Sequence, residues 1–210
     1  QELMFESGMV MSHDIGVTGG TAGGSYTFGA GYYEDSSLMP GQDYSRLNLR
    51  ANIDQSIGKY LRFGLTTNNN YNVTNGSNLG MYNVLATSPM IDPYAEDGTF
   101  KPIIHSIDDK YWTFTRNRIL ALGDSYADNR KGYGSYNSLY GEVKIPGIEG
   151  LNYRINLGLN LRGFNRGQYQ GMGVFSDTPT AASTGSLEKS LTYQWVVENV
   201  VTYDKYFDKH

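Results

Sequence analysis

Apolar and polar residues alternate one by one along much of this chain, the period of a strand whose two faces meet different surroundings. From Tyr44 to Asp54, Leu47, Leu49, Ala51 and Ile53 share one face while Arg46, Asn48, Arg50 and Asn52 share the other. In the next segment Leu61, Phe63 and Leu65 oppose Arg62, Gly64, Thr66 and Asn68. The cleanest stretch sets Tyr153, Ile155, Leu157, Leu159 and Leu161 against Arg154, Asn156, Gly158, Asn160 and Arg162. Four weaker alternations complete the set, the last blurred by Trp195, Val196 and Val197 in succession. The pattern predicts strands over 12–19, 25–34, 44–55, 60–71, 134–146, 151–163 and 189–203. No apolar run approaches the roughly 18 residues of a membrane-spanning helix.

The connections alternate in length. Those near 20–24, 56–59 and 146–150 are short, and another short turn begins after Tyr203. Those over 35–43, 72–133 and 164–188 are longer. Short turns on one rim and long loops on the other are the plan of an outer-membrane β-barrel, with periplasmic turns and extracellular loops. Strands of about ten residues, tilted about 45°, span its apolar band. Tyr26, Tyr32, Tyr60, Phe63, Tyr71, Tyr153, Trp195 and Tyr203 fall near strand ends, where an interfacial girdle belongs. The expected fold is all-β: an antiparallel up-and-down meander of about seven strands, part of a large transmembrane barrel. The same periodicity also fits a soluble extracellular β-sandwich, a carbohydrate-binding or adhesive module with its apolar face hidden under a second sheet.

Composition narrows the function. The 210 residues include 26 Gly and 18 Tyr, with a formal net charge of −4, which argues against a nucleic-acid partner. Zero Cys excludes disulfides, thiolate metal sites and Cys nucleophiles. Phosphate loops and the nucleophile elbow are missing from the sequence, and His13, His105 and His210 are scattered, so no enzymatic activity is expected. The acidic stretch from Asp92 to Thr99 offers oxygen ligands suited to Ca²⁺ but lacks the regular spacing of a Ca²⁺ loop; a solvated turn and no cofactor are expected. Tyr94, Asp97, Tyr111 and Trp112 in the first long loop, and Tyr169 in the second, are candidate ligand contacts. An aromatic ring packs on the apolar face of a sugar while amides and carboxylates bond its hydroxyls. The polar ladder of Arg46, Asn48, Arg50, Arg154, Asn156 and Arg162 would face a barrel lumen.

Several segments, in order, carry a family resemblance. Gly19-Gly20 followed by Ser25-Tyr26-Thr27-Phe28-Gly29-Ala30-Gly31-Tyr32 is similar to a characteristic hairpin of the SusC-like, TonB-dependent outer-membrane transporters. Tyr44 to Asp54 and Tyr60-Leu61-Arg62-Phe63-Gly64 resemble the strands that follow it. Asn117-Arg118-Ile119-Leu120-Ala121-Leu122 resembles a loop motif of that family, with Arg118 where Pro is usual. Pro146 to Arg154 and Glu198-Asn199 … Tyr203-Asp204-Lys205 resemble a later turn and strand. The resemblance implies a fragment from the barrel region of a nutrient importer in the cell outer membrane, lacking the N-terminal plug and the segment that engages TonB. It implies an oligosaccharide or peptide substrate, a SusD-like surface lipoprotein partner, a lipid bilayer around the barrel, and a polar ladder that contacts the plug.

Overall fold

The computed structural model describes residues 5–76, 85, 90–101, 104, 125–174 and 181–206. Seven strands form one antiparallel sheet in chain order: β1 (Met9–Thr21), β2 (Gly24–Ser36), β3 (Asp43–Ile57), β4 (Leu61–Asn75), β5 (Tyr126–Lys144), β6 (Leu151–Gln170) and β7 (Thr184–Tyr203). Every neighbour in the sheet is a neighbour in sequence, so the topology is a plain meander. Turn chemistry closes the short rim. Gly150 has φ +86°, and a Cβ there would run into the Asp204 backbone carbonyl, so only glycine fits. Asp204 N–H in turn donates to Gly150 O at 2.9 Å, tying the end of β7 to the β5–β6 turn.

Register partners in an antiparallel pair share a face. One row therefore reads Val17, Phe28, Ala51, Thr67, Asn137, Leu159, Trp195 across the seven strands. The next on that face reads Ile15, Ala30, Leu49, Asn69, Ser135, Leu161, Tyr193. This apolar face has no cover: Leu49 is 47% exposed and Trp195 70%. The buried hydrophobic side chains among the described residues, Met39, Ile104 and Val174, all lie in connections. A sandwich would need a second sheet over Leu47, Leu49 and Ile53, and the described residues form a single layer. A bare apolar sheet face suits lipid, which solvates it as a second sheet would.

The strands outrun their apolar bands. β5 begins at Tyr126 rather than 134, β6 ends at Gln170 rather than 163, and β7 begins at Thr184 rather than 189. Alternation fades there because both faces become polar or glycine: Asn129, Lys131, Asn165 and Gly167 occupy the positions that hold leucines lower down. At about 3.3 Å per residue, 20-residue strands such as β6 and β7 are about 66 Å long. An apolar band about 25 Å tall uses only part of that length even when tilted. The long connections shrink accordingly, from 72–133 to 76–125 and from 164–188 to 171–183.

One polar island interrupts the apolar face between β4 and β5. Thr67 Oγ1 donates to Asn137 Oδ1 at 2.6 Å, Asn137 Nδ2 to Ser135 Oγ at 2.9 Å, Ser135 Oγ to Asn69 Oδ1 at 2.6 Å, and Asn69 Nδ2 back to Thr67 Oγ1 at 2.9 Å. The four bonds close a ring with all donors running the same way. Asn137 also donates to the carbonyl of Leu159 at 3.3 Å. Leu65, Leu139, Leu49 and Leu161 border the ring within the same face. Asn137→Leu leaves Thr67 and Ser135 each short of a partner, and we predict a loss of about 1–3 kcal/mol in unfolding stability, measured in detergent. Replacing the whole ring (Thr67→Val, Asn69→Leu, Ser135→Ala, Asn137→Leu) should recover most of that loss, because no donor is then orphaned.

Candidate functional site

The opposite face collects the charged groups, and it places Arg46, Asn48, Arg50, Arg154, Asn156 and Arg162 together. Asn48 and Arg162 stand in one row with Asn70 and Gly134 between them. Arg46 stands in the next with Asn72, Gly132 and Phe164. The face divides into two regions of different character.

Toward the short-turn rim the charges neutralise one another. Arg62 grips Asp54 with Nε to Oδ1 at 2.9 Å and a second nitrogen to Oδ2 at 3.0 Å, the paired geometry that fixes both groups. The Tyr140 hydroxyl also donates to Asp54. Arg154 lies over the Tyr140 ring, 4.0 Å from its centroid, donates to Asn156 Oδ1 at 2.8 Å and approaches Glu142 to 3.7 Å. Asn156 extends the chain to Glu198 on β7 at 3.4 Å. Carboxylates and guanidiniums from five strands, β3 to β7, form one linked network.

Toward the long-loop rim the balance changes. Asp128 accepts Arg166 at 2.9 and 2.7 Å and Gln168 at 3.0 Å, so that carboxylate is fully engaged. Below it opens a cavity of about 530 Å³, lined among others by Asn72, Arg130, Gly132, Tyr136, Arg162 and Phe164. That is within the range of small-molecule sites. The guanidinium of Arg130 stacks 4.3 Å from the centre of the Phe164 ring. Among the described residues neither Arg130 nor Arg162 has an ion-pair partner, and the cavity lining contains no Asp or Glu.

The loop candidates fare differently. Tyr94 and Phe100 bridge the arms of a small hairpin and stack at 5.0 Å. Ala95 N–H donates to Thr99 O at 2.7 Å, and Gly98 turns the chain with φ +81°. Asp97 Oδ1 accepts the Thr99 N–H at 2.9 Å and its hydroxyl at 2.7 Å, while Asp92 Oδ1 accepts Tyr94 N–H at 3.0 Å. These carboxylates are turned to their own backbone, and the described residues contain no cluster of three or more metal-ligating side chains. Tyr111 and Trp112 lie outside the described residues. Tyr169 is not in a loop: it is in β6, in register with Ala127 and Gly185, on the face that carries the leucines. The lengthening of β6 moves it there, away from Arg162 and the polar face. The sequence reading also missed Arg130, because it fell in a segment read as a loop, and took Phe164 for an aromatic of the second long loop rather than a strand residue. The alternation Arg130, Gly132, Gly134 on one strand and Arg162, Phe164 on the next is the signal that marks them.

With this geometry in hand, comparison places the chain. No protein-family model matches it. A curated relative, the TonB-dependent receptor P39 of Formosa agariphila, is 21% identical over 213 residues, covering 100% of this chain and 19% of its own length. Among solved structures, the RagAB peptide importer in its open-open state aligns with TM-score 0.70 and 14% identity, over 99% of this chain and 23% of that one. The closed-closed state of RagAB gives 0.69 at the same identity and coverage. The chain has the fold of a SusC-like TonB-dependent transporter barrel. It spans about a fifth of the length of the relatives it matches. In a barrel of this fold the bare leucine face is the one suited to the lipid of an outer membrane.

The Asp97 turn yields a pH prediction. Hydrogen bonds from the Thr99 hydroxyl and backbone N–H, in that order, hold the Asp97 carboxyl below its ordinary 3.8. A depressed folded value stabilises the hairpin fully above the unfolded one and loses that contribution as pH falls through the lowered value. Exchange protection of the Thr99 amide should therefore hold from neutral pH down to about 4 and fall below it. In Asp97→Ala the protection should be low throughout, with no such step.

Proposed function

We propose that this chain forms part of the wall of an outer-membrane nutrient importer, with its polar face turned to the lumen and its long connections outside the cell. The observation that carries this reading is the single-layer meander with one bare leucine face and one charged face, superimposable on RagAB along its whole length. The substrate would be an oligosaccharide or a peptide. A surface lipoprotein would serve as its lid, and TonB would drive transport through parts of the protein other than these strands. Arg46, Asn48, Arg50, Arg154, Asn156 and Arg162 then line the lumen. The neutralised network around Asp54, Tyr140 and Arg154 gives the short-turn end a fixed hydrogen-bonding surface against which a plug can rest. The reading involves binding and displacement only, with no covalent chemistry and no resident cofactor.

An antibody against the Asp92–Lys101 hairpin tests it. The importer reading expects intact cells to be labelled, and a band several times larger than 23.4 kDa in outer membranes that only detergent extracts. A band near 23 kDa in a soluble or secreted fraction would overturn it.

A further inference from the structure

We infer that the cavity between β4, β5 and β6 is a subsite for a carboxylate carried by a short oligomeric substrate, held by Arg130 and Arg162. The inference rests on the importer reading and names the charge of its cargo. Three observations carry it. First, neither guanidinium is in an ion pair among the described residues, whereas Arg62, Arg154 and Arg166 on the same face each meet a carboxylate; Arg46 and Arg50 are also without an ion pair there, but only Arg130 and Arg162 line the cavity. Asp128, whose charge Arg130 feels, is taken up by Arg166 and Gln168, and cations with no carboxylate in contact attract anions and gain from a ligand that supplies one. Second, Arg130 is fixed by its face: stacking on Phe164 at 4.3 Å leaves its in-plane N–H fork free for two-pronged recognition of a carboxylate. Third, the wall is cut back to admit a ligand. A Cβ on Gly132 would strike the Asn72 side chain and one on Gly134 would lie 2.8 Å from that of Asn70, so two glycines keep the floor low and the amides in place. Asn72 supplies donors and acceptors beside the arginines, and Tyr136 offers a ring for an apolar surface next to the charged group. The cavity also lies in the half of the sheet nearer the long connections, above the self-neutralised network that suits a plug.

The test uses the full-length protein carrying this chain, purified in detergent and titrated calorimetrically at low ionic strength. The probes are tri-galacturonate against maltotriose and tri-glutamate against tri-glutamine. At least one acidic probe should bind about ten-fold or more tightly than its neutral counterpart, the worth of a charge-assisted bond. Which acidic probe does so identifies a sugar or a peptide as the source of the carboxylate. In Arg130→Gln/Arg162→Gln the preference should fall below about two-fold, and Arg162→Lys, which keeps the charge, should retain part of it. Should the double variant fail to fold, the same loss is expected in Arg162→Gln alone. Equal binding of acidic and neutral probes by the unmodified protein, or a preference that survives Arg162→Gln and the double variant, would overturn the inference. It is equally overturned if no probe binds and Arg162→Gln instead loosens the plug to protease, which would make the plug the arginines' partner. Failure of the importer reading itself would show separately, as a parent protein found outside the outer membrane.

Discussion

Within hydrocarbon no water is available to a backbone amide, so every N–H and C=O of a membrane strand must find its partner in a neighbouring strand. The whole architecture follows from that demand. The five interior strands meet it on both sides, while β1 pairs only with β2 and β7 only with β6 among the described residues. Two outward edges of 13 and 20 residues are thus left, and neither lipid nor water leaves such edges idle. A sheet of this kind is stable as an arc of a closed ring, where further strands continue the ladder at both ends. The RagAB structure contains such an arc, aligned over 99% of this chain and 23% of that one.

The division of labour between faces is the second consequence. Leucines and valines fill the bare apolar face and carry no individual chemistry. The polar face carries the individual chemistry, and there the arginines are used in two ways. Those near the short turns are satisfied by carboxylates and a tyrosine and act as structure. Those beside the cavity hold an unspent charge. The difference lies not in residue type but in which carboxylates are open to them: Arg62 and Arg154 meet Asp54 and Glu142, whereas Asp128, in the row beside Arg130, is already gripped by Arg166 and Gln168.

Strict alternation made the centre of each strand legible in the sequence, as in Leu47 to Ile53 and Tyr153 to Leu161. It could not mark strand ends beyond the apolar band, where asparagine, lysine and glycine occupy both faces and the period vanishes. That single blind spot accounts for the main misplacements. Tyr169 read as a loop aromatic and is a strand residue on the leucine-bearing face; Arg130 and Phe164 read as loop and line the cavity. The six-residue polar ladder was visible because it sits at the height of the leucines. The local fates of Tyr94 and Asp97 depended on a hairpin whose turn is made by Gly98, within a stretch that sequence alone left as an acidic turn.

The ring of Thr67, Asn69, Ser135 and Asn137 bears on how the sheet finds its pairing. β4 and β5 are joined by the longest connection, residues 76–125, so no tight turn dictates how they align. A slip of one residue is penalised because it turns leucines inward. A slip of two residues restores the faces and passes that check unnoticed. It would, however, keep only one ring pair face to face, Asn69 with Asn137 or Thr67 with Ser135, and move the other two members opposite a leucine and a tyrosine, which breaks the ring. Four modest side chains thus act as a vernier, distinguishing alignments that the coarse scale of hydrophobic alternation reads as identical.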